Sequence, residues 1–93
     1  MISELAVKYW EWIENMGWHN KTVLETMALI ASEVGEAINE CRGVEPTEAF
    51  GEKLADIALR VMDLSVCRNI DLEAEIVRKM EINRLRGTRG RRI

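Results

Sequence analysis

The chain has 93 residues, 47% of them apolar and 31% charged, with a formal net charge of -3; this suits one small folded domain and excludes an extended disordered chain. No apolar run reaches the length that spans a bilayer, and the opening MISELAVKYWEWIENMGW carries Glu4, Glu11 and Glu14, unlike the basic-then-apolar start of a signal peptide, so a cytoplasmic protein is expected. Two cysteines make no disulfide framework; Cys41 and Cys67 lie in apolar helical contexts and are expected as buried free thiols.

Strand signals are nearly absent, proline occurs once, and helical periodicity dominates. The first predicted helix runs from about Ser3 to Met16, with Leu5, Tyr9, Trp12, Ile13 and Met16 as its apolar stripe and Gly17 as its stop. The loop Trp18-His19-Asn20 follows. A second helix starts near Thr22, which can form a capping box with Glu25, and ends before Gly43. After the linker Gly43-Val44-Glu45-Pro46, Thr47 is expected to cap a third helix that runs to about Cys67. Asn69-Ile70-Asp71 reads as a turn, with Asp71 capping a fourth helix from about Leu72 to Leu85. The division expected is one all-α domain over residues 1–86 and a basic Arg/Gly tail over 87–93.

The second and third helices are apolar nearly all round, which marks central helices. Four helices in so short a chain cannot easily cover two of that kind. A bundle completed by homo-oligomerisation is therefore expected, as a homodimer or homotetramer.

Carboxylates sit inside these two helices. Residues three or four apart share a helix face, so Glu33 and Glu36 are neighbours, as are Glu52 and Asp56. Antiparallel packing can bring the two pairs together into one pocket. Such a cluster repels itself unless cations or protons bind. The single histidine, His19, lies outside both helices, so a Glu-x-x-His di-iron site is excluded, and no cysteine pair has zinc spacing. An all-oxygen ligand set points to Mg²⁺, with Mn²⁺ as the alternative, shared with substrate phosphates. Acidic residues three or four apart are more often a solvated face; here the apolar flanks favour a site. Arg60 and Asp63 read as an internal ion pair or as support around that site.

The run Leu29-Ile30-Ala31-Ser32-Glu33-Val34-Gly35-Glu36-Ala37, a short linker, Glu52-Lys53-Leu54-Ala55-Asp56-Ile57 and the later Lys79-Met80-Glu81-Ile82-Asn83-Arg84 together resemble the MazG-like all-α nucleoside triphosphate pyrophosphohydrolases. The resemblance covers residues 22 to 86. It implies a four-helix MazG-like bundle and Mg²⁺-dependent cleavage of nucleoside triphosphates between the α and β phosphates, giving a monophosphate and pyrophosphate. It also implies a dimer or tetramer. Glu33, Glu36 and Asp56 would then be the catalytic metal ligands, and Lys79 and Asn83 would contact the triphosphate. The family's pattern has an acid at position 53, where this chain has Lys53; Glu52, one residue earlier, is the nearest acid and the candidate fourth ligand. Trp18 and His19, in the loop before the acidic helix, are candidate walls for the base, although tryptophan also packs cores and interfaces.

Two other readings compete with hydrolysis. Lys53 fits a helical dimer that binds nucleotide or a protein partner without turnover. The arginines Arg84, Arg86, Arg89, Arg91 and Arg92 fit nucleic-acid binding, but the first 83 residues carry 16 acidic and 8 basic side chains, a surface that repels a duplex. Neither a nucleic acid nor a membrane is an expected partner.

Overall fold

A computed structural model describes residues 1–87. These residues form four helices and, among them, no strand: α1 (Ile2–Asn15), α2 (Val23–Asn39), α3 (Phe50–Cys67) and α4 (Leu72–Arg86). The tail expected over 87–93 lies outside the described residues except for Gly87.

Local chemistry sets most of the boundaries. Gly17, at φ +72°, ends the first helical run; it adopts the left-handed backbone that a side chain disfavours. The Thr22 hydroxyl accepts the Glu25 N–H at 3.1 Å, and the Glu25 carboxylate accepts the Thr22 N–H at 2.9 Å, a complete capping box. Asp71 accepts the Ala74 N–H at 3.0 Å and starts α4; Gly87, also left-handed, ends it. Thr47 does not cap α3. Its hydroxyl donates to the Glu40 carboxylate and its amide to the Glu40 carbonyl. Those bonds close the α2–α3 loop, and α3 begins three residues later, behind Ala49, without a side-chain cap.

The capping box makes a prediction. Accepting the Thr22 backbone N–H holds the Glu25 carboxyl below its ordinary value of 4.5. A folded-state value below the unfolded one adds stability above pH 4.5, which is lost as the pH falls through the folded value. Glu25→Gln is therefore expected to flatten the acid limb of a thermal-unfolding series. Thr22→Ala is expected to lower stability by about 1 kcal/mol at neutral pH.

The central element is α3, which packs against both α1 and α2, while α4 packs on α1. The buried apolar residues are small in number and size: Ala6 and Ile13 on α1 and Ala37 on α2. The radius of gyration is 15.3 Å, against about 12 Å for a compact domain of this length. Within one chain α2 is thus not enclosed as its composition suggests. Leu24, Met27, Ala31, Val34 and Ile38, spaced alternately three and four residues apart, are all exposed. Helix α4 buries no residue and exposes Val77, Met80 and Leu85. The cysteines are free but exposed, contrary to expectation: Cys41 lies in the loop just past α2, and Cys67 is the last residue of α3.

Candidate functional site

Between α1, α2 and α3 lies a cavity of about 650 Å³. Helix α1 supplies Tyr9 and Ile13. The α1–α2 loop adds Trp18, His19 and Lys21. The inner face of α2 contributes Leu29 and Glu33, and α3 contributes Asp56, Arg60, Asp63, Leu64, Cys67 and, at its end, Arg68. The spacing 56, 60, 63, 67 is one helix face, and α3 turns that face toward the loop.

The two acidic residues of α2 have different surroundings. Glu33 is nearly buried, with 13% of its side chain exposed, and its Oε1 accepts from Arg60 Nε at 3.1 Å. Glu36 is half exposed, at 52%, outside the cavity lining, and accepts from Lys53 Nζ at 3.2 Å. That bond, the leading cause, holds the Lys53 ammonium above its ordinary value. Helix packing explains the difference. Glu33 lies one turn before buried Ala37 on the face toward α3, and Glu36 is rotated off that face. Glu33 and Glu36, which the sequence leaves without a counter-charge, therefore each have one in the folded chain.

Asp56 also lines the cavity and has no hydrogen bond or ion pair among the described residues. Glu52 is exposed and does not line it. The structure thus brings Glu33 and Asp56 into one cavity and leaves Glu36 and Glu52 outside it. Lys79 and Asn83 are on α4, away from the lining, with Lys79 exposed. Trp18 and His19 both line the cavity.

His19 bridges two helices. Its Nδ1 meets Glu14 Oε1 at 2.6 Å and its Nε2 meets Asp63 Oδ1 at 2.8 Å. Arg60 and Asp63 are accordingly paired with Glu33 and His19, not with each other. Burial alone would lower the His19 imidazole, but the bonds from Asp63 and Glu14 outweigh it and hold the ring above its ordinary value. The Trp10 ring stacks on His19 with centroids 5.2 Å apart and planes 24° apart. Trp12 meets Trp18 edge-on at 5.4 Å. Tyr9 marks the convergence of charge: burial raises its phenol first, then Arg60 lowers it, while Asp63, Asp56 and Glu33 raise it.

Asp63 and Cys67 were not among the sequence's candidate site residues. The available signal was their four-residue spacing on the face that continues Asp56 and Arg60; the loop contact with His19 depends on tertiary packing.

The cavity holds both signs of charge together with aromatic rings. Glu33 and Asp56 offer oxygen donors suited to a hard divalent cation. Arg60 engages only one oxygen of Glu33, and a carboxylate can accept at both. Arg60, Arg68 and Lys21 offer donors to anionic oxygen, and Tyr9 and Trp18 offer ring faces. The chain matches no protein-family model, no curated protein and no solved structure. No helix among the described residues is long and apolar enough to cross a membrane.

Proposed function

We propose that this chain is a MazG-like, Mg²⁺-dependent nucleoside triphosphate pyrophosphohydrolase, active as a homo-oligomer. The observation that supports the reading is the shared cavity: Glu33 and Asp56, three cationic side chains, and Tyr9 and Trp18 line one space of about 650 Å³, within the range of small-molecule sites. Carboxylate oxygens suit Mg²⁺, with Mn²⁺ as the alternative, and in this reading Glu33 and Asp56 would hold it. Bound there, the ion would neutralise charge on the phosphate chain.

The chain's own groups do the rest. Arg60, Arg68 and Lys21 bind phosphate oxygens, and the guanidinium of Arg60 can form paired bonds to them. Trp18 and Tyr9 face the base. Leu29, Ile13 and Leu64 limit water on the inner wall. Water attacks the α-phosphorus, the bond from that phosphorus to the α–β bridging oxygen breaks, pyrophosphate leaves, and the proton of the attacking water passes to solvent. Arg60 engages one oxygen of Glu33, so the carboxylate would keep an acceptor with which to hold the ion.

The chain exposes 7467 Å², whereas a monomeric protein of this mass exposes about 5500 Å². The exposed α2 row of Leu24, Met27, Ala31, Val34 and Ile38 is a heptad seam, and a second copy of α2 is the surface that suits it.

One observation favours a second reading. Glu36 and Glu33 already have Lys53 and Arg60 as counter-charges, so the folded chain needs no metal to offset them, and a helical dimer that binds nucleotide without turnover satisfies the same geometry. A panel of ribo- and deoxyribonucleoside triphosphates, incubated with Mg²⁺, with Mn²⁺ and with chelator, separates the two. Metal-dependent pyrophosphate with matching monophosphate is expected. Saturable nucleotide binding with no product would select the binding module instead.

A further inference from the structure

The face of α3 that meets the α1–α2 loop carries three chemically different donors that the hydrolase reading does not use. His19 Nε2, a carboxylate oxygen of Asp63 and Cys67 Sγ all lie within 4.8 Å of one another. Asp63 and Cys67 are one turn apart on α3, so both side chains leave the same face. His19 reaches them from the loop and is anchored at its other nitrogen.

We propose that His19, Asp63 and Cys67 form a binding site for a borderline transition-metal ion, with Zn²⁺ as the best match and Co²⁺ as its spectroscopic substitute. The mixture of imidazole, carboxylate and thiolate is the set that selects such ions over Mg²⁺. Three protein ligands leave a fourth position open, the pattern of an exchangeable site rather than a closed structural one. That position faces the cavity, because all three residues line it.

The surroundings are those of a metal-bound histidine. A ligating imidazole ordinarily donates its second N–H to a carboxylate, which sets the tautomer and the ring direction. Here Glu14 Oε1 holds Nδ1 at 2.6 Å and so directs Nε2 toward Asp63 and Cys67. Trp10 Nε1 donates to Cys67 Sγ at 3.2 Å, a bond that stabilises a thiolate. The same indole stacks on His19 and fixes its plane.

His19 Nε2 and Asp63 Oδ1 lie 2.8 Å apart beside the position the ion would take. Desolvation of the sulfur, the largest cause, raises the Cys67 thiol above its ordinary value even though the residue as a whole is exposed. Binding would release the Cys67 thiol proton and any proton on Nε2 to solvent, while the Nδ1–H stays on the ring and donates to Glu14. Tetrahedral bonds to Zn²⁺ place donor atoms about 3.5 Å apart, so binding would part His19 Nε2 and Asp63 from 2.8 Å and seat Cys67 Sγ beside both, within reach of side-chain rotation. The exposure of Cys67 gives an ion access from solvent. The site shares its cavity with the hydrolase reading but does not rest on it, and its test measures no turnover.

The test is a titration of chelator-stripped full-length protein with Co²⁺. One equivalent per chain is expected to bind with a thiolate-to-metal charge-transfer band and quenching of tryptophan fluorescence, and Zn²⁺ is expected to displace it. Cys67→Ser is expected to abolish the band and weaken binding at least tenfold, while Cys41→Ser leaves both unchanged. Glu14→Gln is expected to weaken binding about 10- to 100-fold while keeping the band. Circular dichroism checks that each variant is folded, and His19→Gln is expected to weaken binding at least tenfold as well, which serves should Cys67→Ser unfold. Absence of the band from the parent protein, or equal binding by the Cys67→Ser and Cys41→Ser proteins, would overturn the proposal.

Discussion

Asp56→Asn and Glu33→Gln are each expected to reduce pyrophosphate release about a thousandfold, the loss that corresponds to several kcal/mol of charge stabilisation. Glu36→Gln is expected to cost only about tenfold. The difference comes from the fold. Glu33 and Asp56 share the cavity, whereas Glu36 lies outside it, half exposed and paired with Lys53. The MazG-like pattern treats Glu33 and Glu36 as equivalent ligands, so the ranking of the three variants separates the geometry of this chain from that pattern. Glu33→Gln also leaves Arg60 without its counter-charge. Because Arg60 is partly exposed, that loss is expected to lower stability by about 1 kcal/mol or less, too little to unfold the protein. Initial rates at saturating nucleotide, with thermal melts of the same preparations, check both statements. Equal losses for Glu33→Gln and Glu36→Gln would mean that Glu36 rotates into the site when substrate binds.

The paired change Met27→Glu with Val34→Glu is expected to convert the protein from an oligomer to a monomer. Both positions lie on the exposed α2 row, one helix turn on either side of Ala31. In a seam of that spacing a parallel copy would set each residue against its counterpart, and an antiparallel copy would set position 27 against position 34. Two glutamates there bring like charges together and leave them desolvated. Light scattering after size exclusion reads the mass. The melting temperature of the parent is expected to rise with protein concentration, as it must when association stabilises the fold, and that of the variant is expected to be lower and independent of concentration. An unchanged mass would show that α2 is not the contact and would move attention to the exposed apolar residues of α4, Val77, Met80 and Leu85.

The helices were legible because their ends are written in local chemistry. Thr22 with Glu25, Asp71 with Ala74, and Gly17 act over three residues or fewer, and each appears in the fold as it reads. Thr47 misled because its hydroxyl bonds to Glu40, seven residues back, a choice that depends on how the loop closes. The composition of α2 reads as that of a central helix, yet the structure buries only Ala37 along it. One chain buries only the face toward α3, so the outward seam stays open. Of the site, Glu33, Asp56, Trp18 and His19 were identified as candidates and line one cavity. The pairings were not legible. Arg60 with Glu33 and Lys53 with Glu36 depend on the register of α2 against α3, which no spacing within one helix determines. His19 gave half its signal, since Glu14 lies five residues before it, but Asp63 and Cys67 reach it only through the packing of α3.

The most direct measurement is the phosphorus NMR spectrum of a nucleoside triphosphate incubated with the protein and Mg²⁺. The proposed chemistry predicts that the three triphosphate signals fall together while nucleoside monophosphate and pyrophosphate grow in equal amounts, and that chelator stops the change. Nucleoside diphosphate with orthophosphate would place the cleavage at the wrong bond. An unchanged spectrum, with nucleotide demonstrably bound, would show that the cavity holds nucleotide without cutting it.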